Sequence, residues 1–543
     1  MKNNKIAPAM PKALLGACII FLMTPAIAQS RNSAGDWPTY NRTYSSERYS
    51  PLKSINTSNV KRLHLLHTFN LGKDVSSMQT GPVVINSIMY FTTDTVTYAI
   101  NAATGALKWK RVRPVKKPVG YGANHGVAYL DGKVFRGASD GHVFALNAST
   151  GKILWDVALD VAGPGVSIPM APLAWKGMVF VGNAGGDNAG ITGHIYALDV
   201  NDGRVIWKFN VVPDSGPARE TWPAASNGIP VSGGAFWTSI SLDTDKGVLY
   251  VPAGNPAPDF DTEVRQNGEE LYTNCIIALD TRTGKMLGYI QLVKNDNHDW
   301  DVDAAPALLI TKGGKEIIAS ANKSGLLSVI DRSAITNKPG APDSASSLKL
   351  LYEVPTTTRE NVDEPLSREK FVRFKPGTLG GSEWNGAAYS PPLGLIYTGT
   401  DDWATAVKLF PPDSAKMMPP TGDNLFGGTM KFDPPENAKG WVTAFNAKDG
   451  TVKWKYQSPA PIVAGVTPTA GGLLFTADQN GDVYGFDASN GKILWKSNTS
   501  VPNGGGVITY LVNGKQYVAV AAGMKAVLWP KQSNASKIMI YGL

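Results

Sequence analysis

Cysteine is scarce in this chain, two in 543 residues, and charge is thin, with 18% of residues Asp, Glu, Lys or Arg. Cys18 falls in an N-terminal apolar stretch, so Cys275 is the one thiol of the rest and no internal disulfide can form there. Its surroundings, Asn274-Cys275-Ile276-Ile277-Ala278, suit a small buried hydrophobe better than redox chemistry. No Cys-x-x-Cys-His occurs, which excludes a covalently attached c-type haem in this chain. Without a Gly-x-Gly-x-x-Gly joining strand to helix, a nicotinamide site of the usual kind has no support either. The apolar run at residues 13–23 follows Lys2, Lys5 and Lys12 and precedes Ala26-Ile27-Ala28. At about 1.5 Å rise per residue it is too short to span a bilayer. It reads as a secretory signal peptide over residues 1–28, leaving residues 29–543 as one exported domain in the periplasm without stable membrane insertion. The formal charge of +8 falls to +5 once those three lysines are gone, and no nucleic-acid partner is expected.

Glycine and proline, by contrast, are plentiful at 57 and 37, the composition of a turn-dense β chain. One phrase recurs: Ala-Leu-Asn-Ala-Ser-Thr-Gly-Lys-Ile-Leu-Trp at residues 145–155, with close copies at 99–109, 197–207, 444–454 and 485–495. In each, a Gly stands four residues before a Trp, after a strand that ends in an Asx turn. The Trp points into a core that one repeat cannot bury alone. Its spacings, 46 and 52 residues among the first three and 41 between the last two, are the period of four short strands with their turns. Weaker copies at 278–284 and 326–332 and a strand at 395–398 fill the gap. The chain reads as all-β, an eight-bladed β-propeller with tryptophan-docking repeats; period alone equally suits seven blades with a large insertion. The Pro-rich stretches 339–381 and 411–439 read as insertions packed over one face.

Chemistry is sought where acids and amides interrupt the repeats. Asn295-Asp296-Asn297-His298-Asp299-Trp300-Asp301-Val302-Asp303 carries four mutually repelling aspartates. A solvated turn, a structural calcium loop and a functional cation site all fit that composition. In extended chain Asp301 and Asp303 would point the same way, so one cation could meet both. Asp187, in Asn183-Ala184-Gly185-Gly186-Asp187-Asn188, and Asn255, in Gly254-Asn255-Pro256-Ala257-Pro258-Asp259, each follow an apolar strand. Propeller strand ends converge on the channel, and oxygen-only ligands select a hard cation such as Ca²⁺.

Five segments stand in order along the chain: Arg48-Tyr49-Ser50-Pro51-Leu52, Gly233-Gly234-Ala235-Phe236-Trp237, Gly254-Asn255-Pro256-Ala257-Pro258, His298-Asp299-Trp300-Asp301 and Gly514-Lys515-Gln516-Tyr517. In these segments and their order, the chain from Asp36 to Gly523 resembles the pyrroloquinoline quinone (PQQ) dependent alcohol dehydrogenases of the methanol and ethanol dehydrogenase family. The resemblance implies Trp237 as the flat floor under PQQ, Asp187 and Asn255 with Asp301 as metal ligands, and Asp301 as catalytic base. Lys323 would contact the quinone oxygens, and Gln79 and Asn385 would make further cofactor contacts. Asp303 resembles the extra acid of lanthanide-using members, so calcium is the first expectation for the ion and a lanthanide the second. Where the family often has adjacent cysteines stands Val119-Gly120; His125 stands in place of a common Arg, and Asp187 in place of the usual Glu. An alcohol is the implied substrate and a separate soluble cytochrome c the implied acceptor. A PQQ sugar or polyol dehydrogenase, and a non-catalytic envelope scaffold on the same fold, remain as alternatives.

Overall fold

The computed structural model describes Met1 and residues 35–115, 122–223, 229–335, 348–411, 421–526 and 528–543. The expected signal peptide beyond Met1 and the Val119-Gly120 pair lie outside the described residues. Strands dominate; the α-helix among the described residues is the four-residue Pro217–Glu220.

Eight four-stranded antiparallel sheets occur among the described residues of this β-propeller. In the sheet built from Leu173–Trp175, Met178–Gly182, His194–Asp199 and Val205–Asn210, neighbours in sequence are neighbours in space, so short turns suffice as connections. Its first three strands are largely buried, whereas in the fourth Trp207 is buried between exposed neighbours. Adjoining sheets cover the inner strands on both faces, which is why those strands are nearly continuous apolar runs.

The tryptophans join sheet to sheet. Trp109, Trp155, Trp207, Trp454 and Trp495 are 8–9% exposed, core residues despite their place on outer strands. Their indole N–H groups donate to the carbonyls of Ala148, Val200, Thr281, Ala488 and Leu63 at 2.8–3.1 Å. The repeated glycine is required twice over. Gly151 has φ +68°, and a Cβ there would lie 2.6 Å from the Trp109 ring. Tyr352, outside the repeat phrase, does the same work: its hydroxyl donates to Ala447 at 3.0 Å and its ring lies under Gly450.

Strand His64–Asn70 pairs antiparallel with Lys537–Gly542, so the sheet that contains Asn503–Val512 and Lys515–Ala522 is completed from the other end of the chain. Before that strand, residues 37–50 run as a strap along the inner strands. Backbone hydrogen bonds of 2.7–3.0 Å tie it to Val84, Leu242, Leu308, Tyr389 and Pro468, which belong to five different sheets. Arg48 anchors it: fully buried, its guanidinium donates to the Val466 carbonyl at 3.1 Å and to Asn41 Oδ1 at 2.5 Å.

The two insertions supply the edge strands of a three-stranded sheet, Val372–Phe374 and Gly428–Phe432, on either side of Thr405–Leu409 from the chain between them. Phe374, Val407 and Leu409 pack there against Phe260 and Trp300. This outer layer stands over the loops that carry the acids. Cys275 is a buried free thiol, as its strand suggested.

Candidate functional site

A cavity of about 590 Å³ opens among the loops that interrupt the repeats. Gln79, Asp187, Trp237, Asn255, Asp301 and Lys323 all line it, although up to 244 positions separate them in the chain. Trp384, Trp529, Leu379 and Phe426 give it apolar walls. A half-open apolar cavity with a few converging polar groups is the usual form of a small-molecule site.

Asp301 is clamped at both oxygens. Its Oδ1 accepts the Asn255 backbone N–H at 2.8 Å and its Oδ2 accepts from Lys323 Nζ at 2.9 Å. Gly254 makes the first contact possible, since a Cβ there would stand 2.4 Å from Oδ1. Lys323 also donates to Asp299 Oδ1 at 2.8 Å. Burial alone would lower the Lys323 pKa, yet Asp299, Asp301 and Glu383 hold it well above the usual lysine range. Glu383 is pushed up to about 8, chiefly by burial and further by Asp301, with Lys323 opposing.

Two acids at an offset of two do come together, but they are Asp299 and Asp301 rather than the expected Asp301 and Asp303. Asp299 and Asp301 share one ammonium, whereas Asp303 does not line the cavity and has no hydrogen-bond partner for either oxygen among the described residues. The segment is not an extended strand: Asp299 has φ +63°, and backbone N–H groups of His298 and Trp300 fold back onto the Asp296 carboxylate. Asn385 also lies off the cavity wall. Its amide donates to the Val463 carbonyl at 2.7 Å, and its oxygen accepts from Tyr40 and Arg48, which places it beneath the site as a link to the strap.

Asp259 and Asp299 were not singled out by sequence, although both fall in the acidic patches. The carboxylates of Asp187, Asp259 and Asp299 each bring an oxygen within 4.8 Å of the others. Burial and the neighbouring Asp301 push Asp187 up to about 6, and burial with Asp187 and Asp299 drives Asp259 well above the carboxylate range. Three crowded acids in low dielectric disfavour ionisation unless a cation joins them.

His125 lines the cavity between Trp237 and Trp384, with ring centroids 5.8 and 5.9 Å away. Burial pushes its pKa down to about 3, and a ring nitrogen hydrogen-bonds the Gln79 backbone. It is a neutral imidazole, so no positive charge stands there to meet a ligand carboxylate.

A family model described as the glucose/ethanol/alcohol dehydrogenase β-propeller domain, with the label PQQ, matches residues 37–339. A second, described as outer membrane protein assembly factor BamB, matches residues 438–535. The chain is 31% identical to the dehydrogenase subunit of alcohol dehydrogenase (quinone) from Gluconacetobacter polyoxogenes, over 92% of this chain and 73% of that one. Among solved structures, the quinohemoprotein alcohol dehydrogenase of Comamonas testosteroni superposes with a TM-score of 0.79 at 26% identity, covering 94% of this chain and 80% of the other. A europium-containing methanol dehydrogenase gives 0.80 at 26% identity, covering 94% and 98%.

Proposed function

Since this chain belongs to the PQQ-dependent glucose/ethanol/alcohol dehydrogenase family of β-propellers, we propose that it oxidises an alcohol in the periplasm with Asp301 as base and passes the electrons to a separate soluble cytochrome c. It is a quinoprotein alcohol dehydrogenase, with PQQ and a metal ion as its cofactors. The residues present fit both groups. The half-buried Trp237 indole offers a flat face, Lys323 offers a fixed ammonium, and Gln79 lies on the same wall. Asp187 and Asn255 bring oxygen donors to the cavity, a hard-cation set that suits Ca²⁺ first and a lanthanide second. When bound, the quinone and its ion supply an electrophilic carbonyl that accepts a hydride equivalent.

The observation that carries this reading is the two-point clamp on Asp301. Both carboxylate oxygens are fixed while the side chain lines the cavity, so a substrate hydroxyl proton meets an acceptor whose orientation is already set. Lys323 holds positive charge beside the region where oxyanion charge develops. Leu379, Phe426 and Trp529 give the same cavity apolar walls, suited to the carbon skeleton of an alcohol. No haem-attachment motif stands in this chain, so the electrons leave it for another carrier.

Dye-linked turnover of the mature chain loaded with PQQ and either Ca²⁺ or La³⁺ tests this, across primary alcohols, secondary alcohols and aldoses. Asp301→Asn is expected to lower kcat by about 10²–10⁴-fold while the absorbance of bound PQQ is retained; full activity in that variant would remove Asp301 as the base. Cell fractionation with N-terminal sequencing, expecting Gln29 first, checks export.

A further inference from the structure

Asp259 is fully buried, and neither of its carboxylate oxygens has a hydrogen-bond partner among the described residues. A buried, unpartnered carboxylate is costly and needs a compensating group. One of its oxygens lies within 4.8 Å of carboxylate oxygens on both Asp187 and Asp299. The backbone holds this arrangement in place. The Leu425 N–H donates to the Asp187 carbonyl at 2.7 Å, and the Asp259 N–H donates to the Leu425 carbonyl at 3.3 Å, so one residue of the insertion layer staples the two acid loops together. Asp299 is fixed from the other side by Lys323 at 2.8 Å.

Asp301 differs in kind. Both its oxygens already have partners in Asn255 and Lys323. Four aspartates, 187, 259, 299 and 301, thus meet at one place, with Lys323 the only Lys or Arg among the described lining residues. A carboxylate with both oxygens engaged is the poorest ligand of the four, and one with neither engaged is the best.

We propose that Asp259 and Asp299 complete, with Asp187 and Asn255, the seat of the cation, with Asp259 as its innermost ligand, and that Asp301 stands beside this seat rather than in it. The inference rests on the functional reading above and refines it: the metal and the base use different carboxylates. Asp301 then keeps its charge for the substrate proton instead of sharing it with the ion. Asp303 takes no part, because its oxygens are not among the carboxylate oxygens that meet within 4.8 Å of one another.

Terbium luminescence of the full mature chain without added PQQ, sensitised by tryptophan, tests the seat directly, with Ca²⁺ as competitor. Asp259→Asn is expected to weaken Tb³⁺ binding at least tenfold, and Asp303→Asn to change it less than threefold. Thermal unfolding gives a second reading. Without metal, Asp259→Asn should melt above the wild type, because it removes an unpaired buried acid, and it should lose the rise in Tm that Tb³⁺ gives the wild type. Wild-type Tb³⁺ affinity in Asp259→Asn, no saturable Tb³⁺ binding by the wild type, or equal losses in Asp259→Asn and Asp303→Asn would each overturn the proposal. Dye-linked turnover of the wild type separates the two claims. Alcohol oxidation with unaltered Tb³⁺ binding in Asp259→Asn removes the seat alone, whereas Asp259-dependent Tb³⁺ binding without alcohol oxidation removes the functional reading and leaves the seat.

Discussion

Gly254 shows how little room the proposed base leaves at the scale of one residue. Asp301 packs onto its Cα, so Gly254→Ala must move the carboxylate by about a van der Waals contact. The expected result is a loss of kcat of about 10²-fold with circular dichroism and Tm close to wild type. A second single residue reports through pH. Burial pushes Glu270 up to about 7, with Arg265, 3.0 Å away, opposing, so between its unfolded value and that point the folded chain binds a proton that the unfolded chain has released. Stability is therefore lost as pH rises from about 4.5 through 7, by up to about 3 kcal/mol. Glu270→Gln should flatten that part of the Tm profile. Asp187, Asn255 and Asp301 were legible in the sequence because acids and amides interrupt the repeats there, whereas Trp237, Lys323 and Gln79 were implied only by the family resemblance. Asp259 was not legible: its importance lies in what its oxygens lack, and only packing decides that. The expected pairing of Asp301 with Asp303 is not seen because a two-residue alternation holds only in a strand, and residues 292–306 form none.

Among the elements, the docking turn is the unit that repeats, and its parts can be removed one at a time. Trp155→Ala would open a void under Gly203 and leave the Val200 carbonyl without its donor. The expected cost is about 3–5 kcal/mol, read from urea unfolding. Tyr352→Phe keeps the ring and loses the hydroxyl's hydrogen bonds to Ala447 and, at 3.5 Å, Asn446, a cost of about 1 kcal/mol. The phrase with its Gly and Trp was legible because five copies share it. In the sheet that ends in Lys349–Pro355 only the strand at 326–332 was legible, since Tyr352 on the outer strand meets the same turn from a different local sequence. The insertion layer could be located from its prolines, but its contribution of Leu425 to the acid loops runs through backbone atoms, which carry no sequence signature.

Across the whole molecule, what holds the sheets in register is backbone from residues 37–50, and the buried Arg48 is its anchor. Arg48→Met leaves the Asn41 and Val466 acceptors unsatisfied and should lower stability by on the order of 3 kcal/mol, seen as a lower urea midpoint. The β class and the period were evident from composition and spacing. The strap was not, because its partners are carbonyls and N–H groups in sheets hundreds of residues apart. Pairing of His64–Asn70 with Lys537–Gly542 sets an order of events as well as a shape. The first strand of the ring to be synthesised is the last to find its neighbour, so for most of the time the chain is being made it stays an unmatched edge. A chain cut short before residue 537 carries that edge permanently, and aggregation of such fragments, rather than a slightly weaker enzyme, is the outcome to expect in cells.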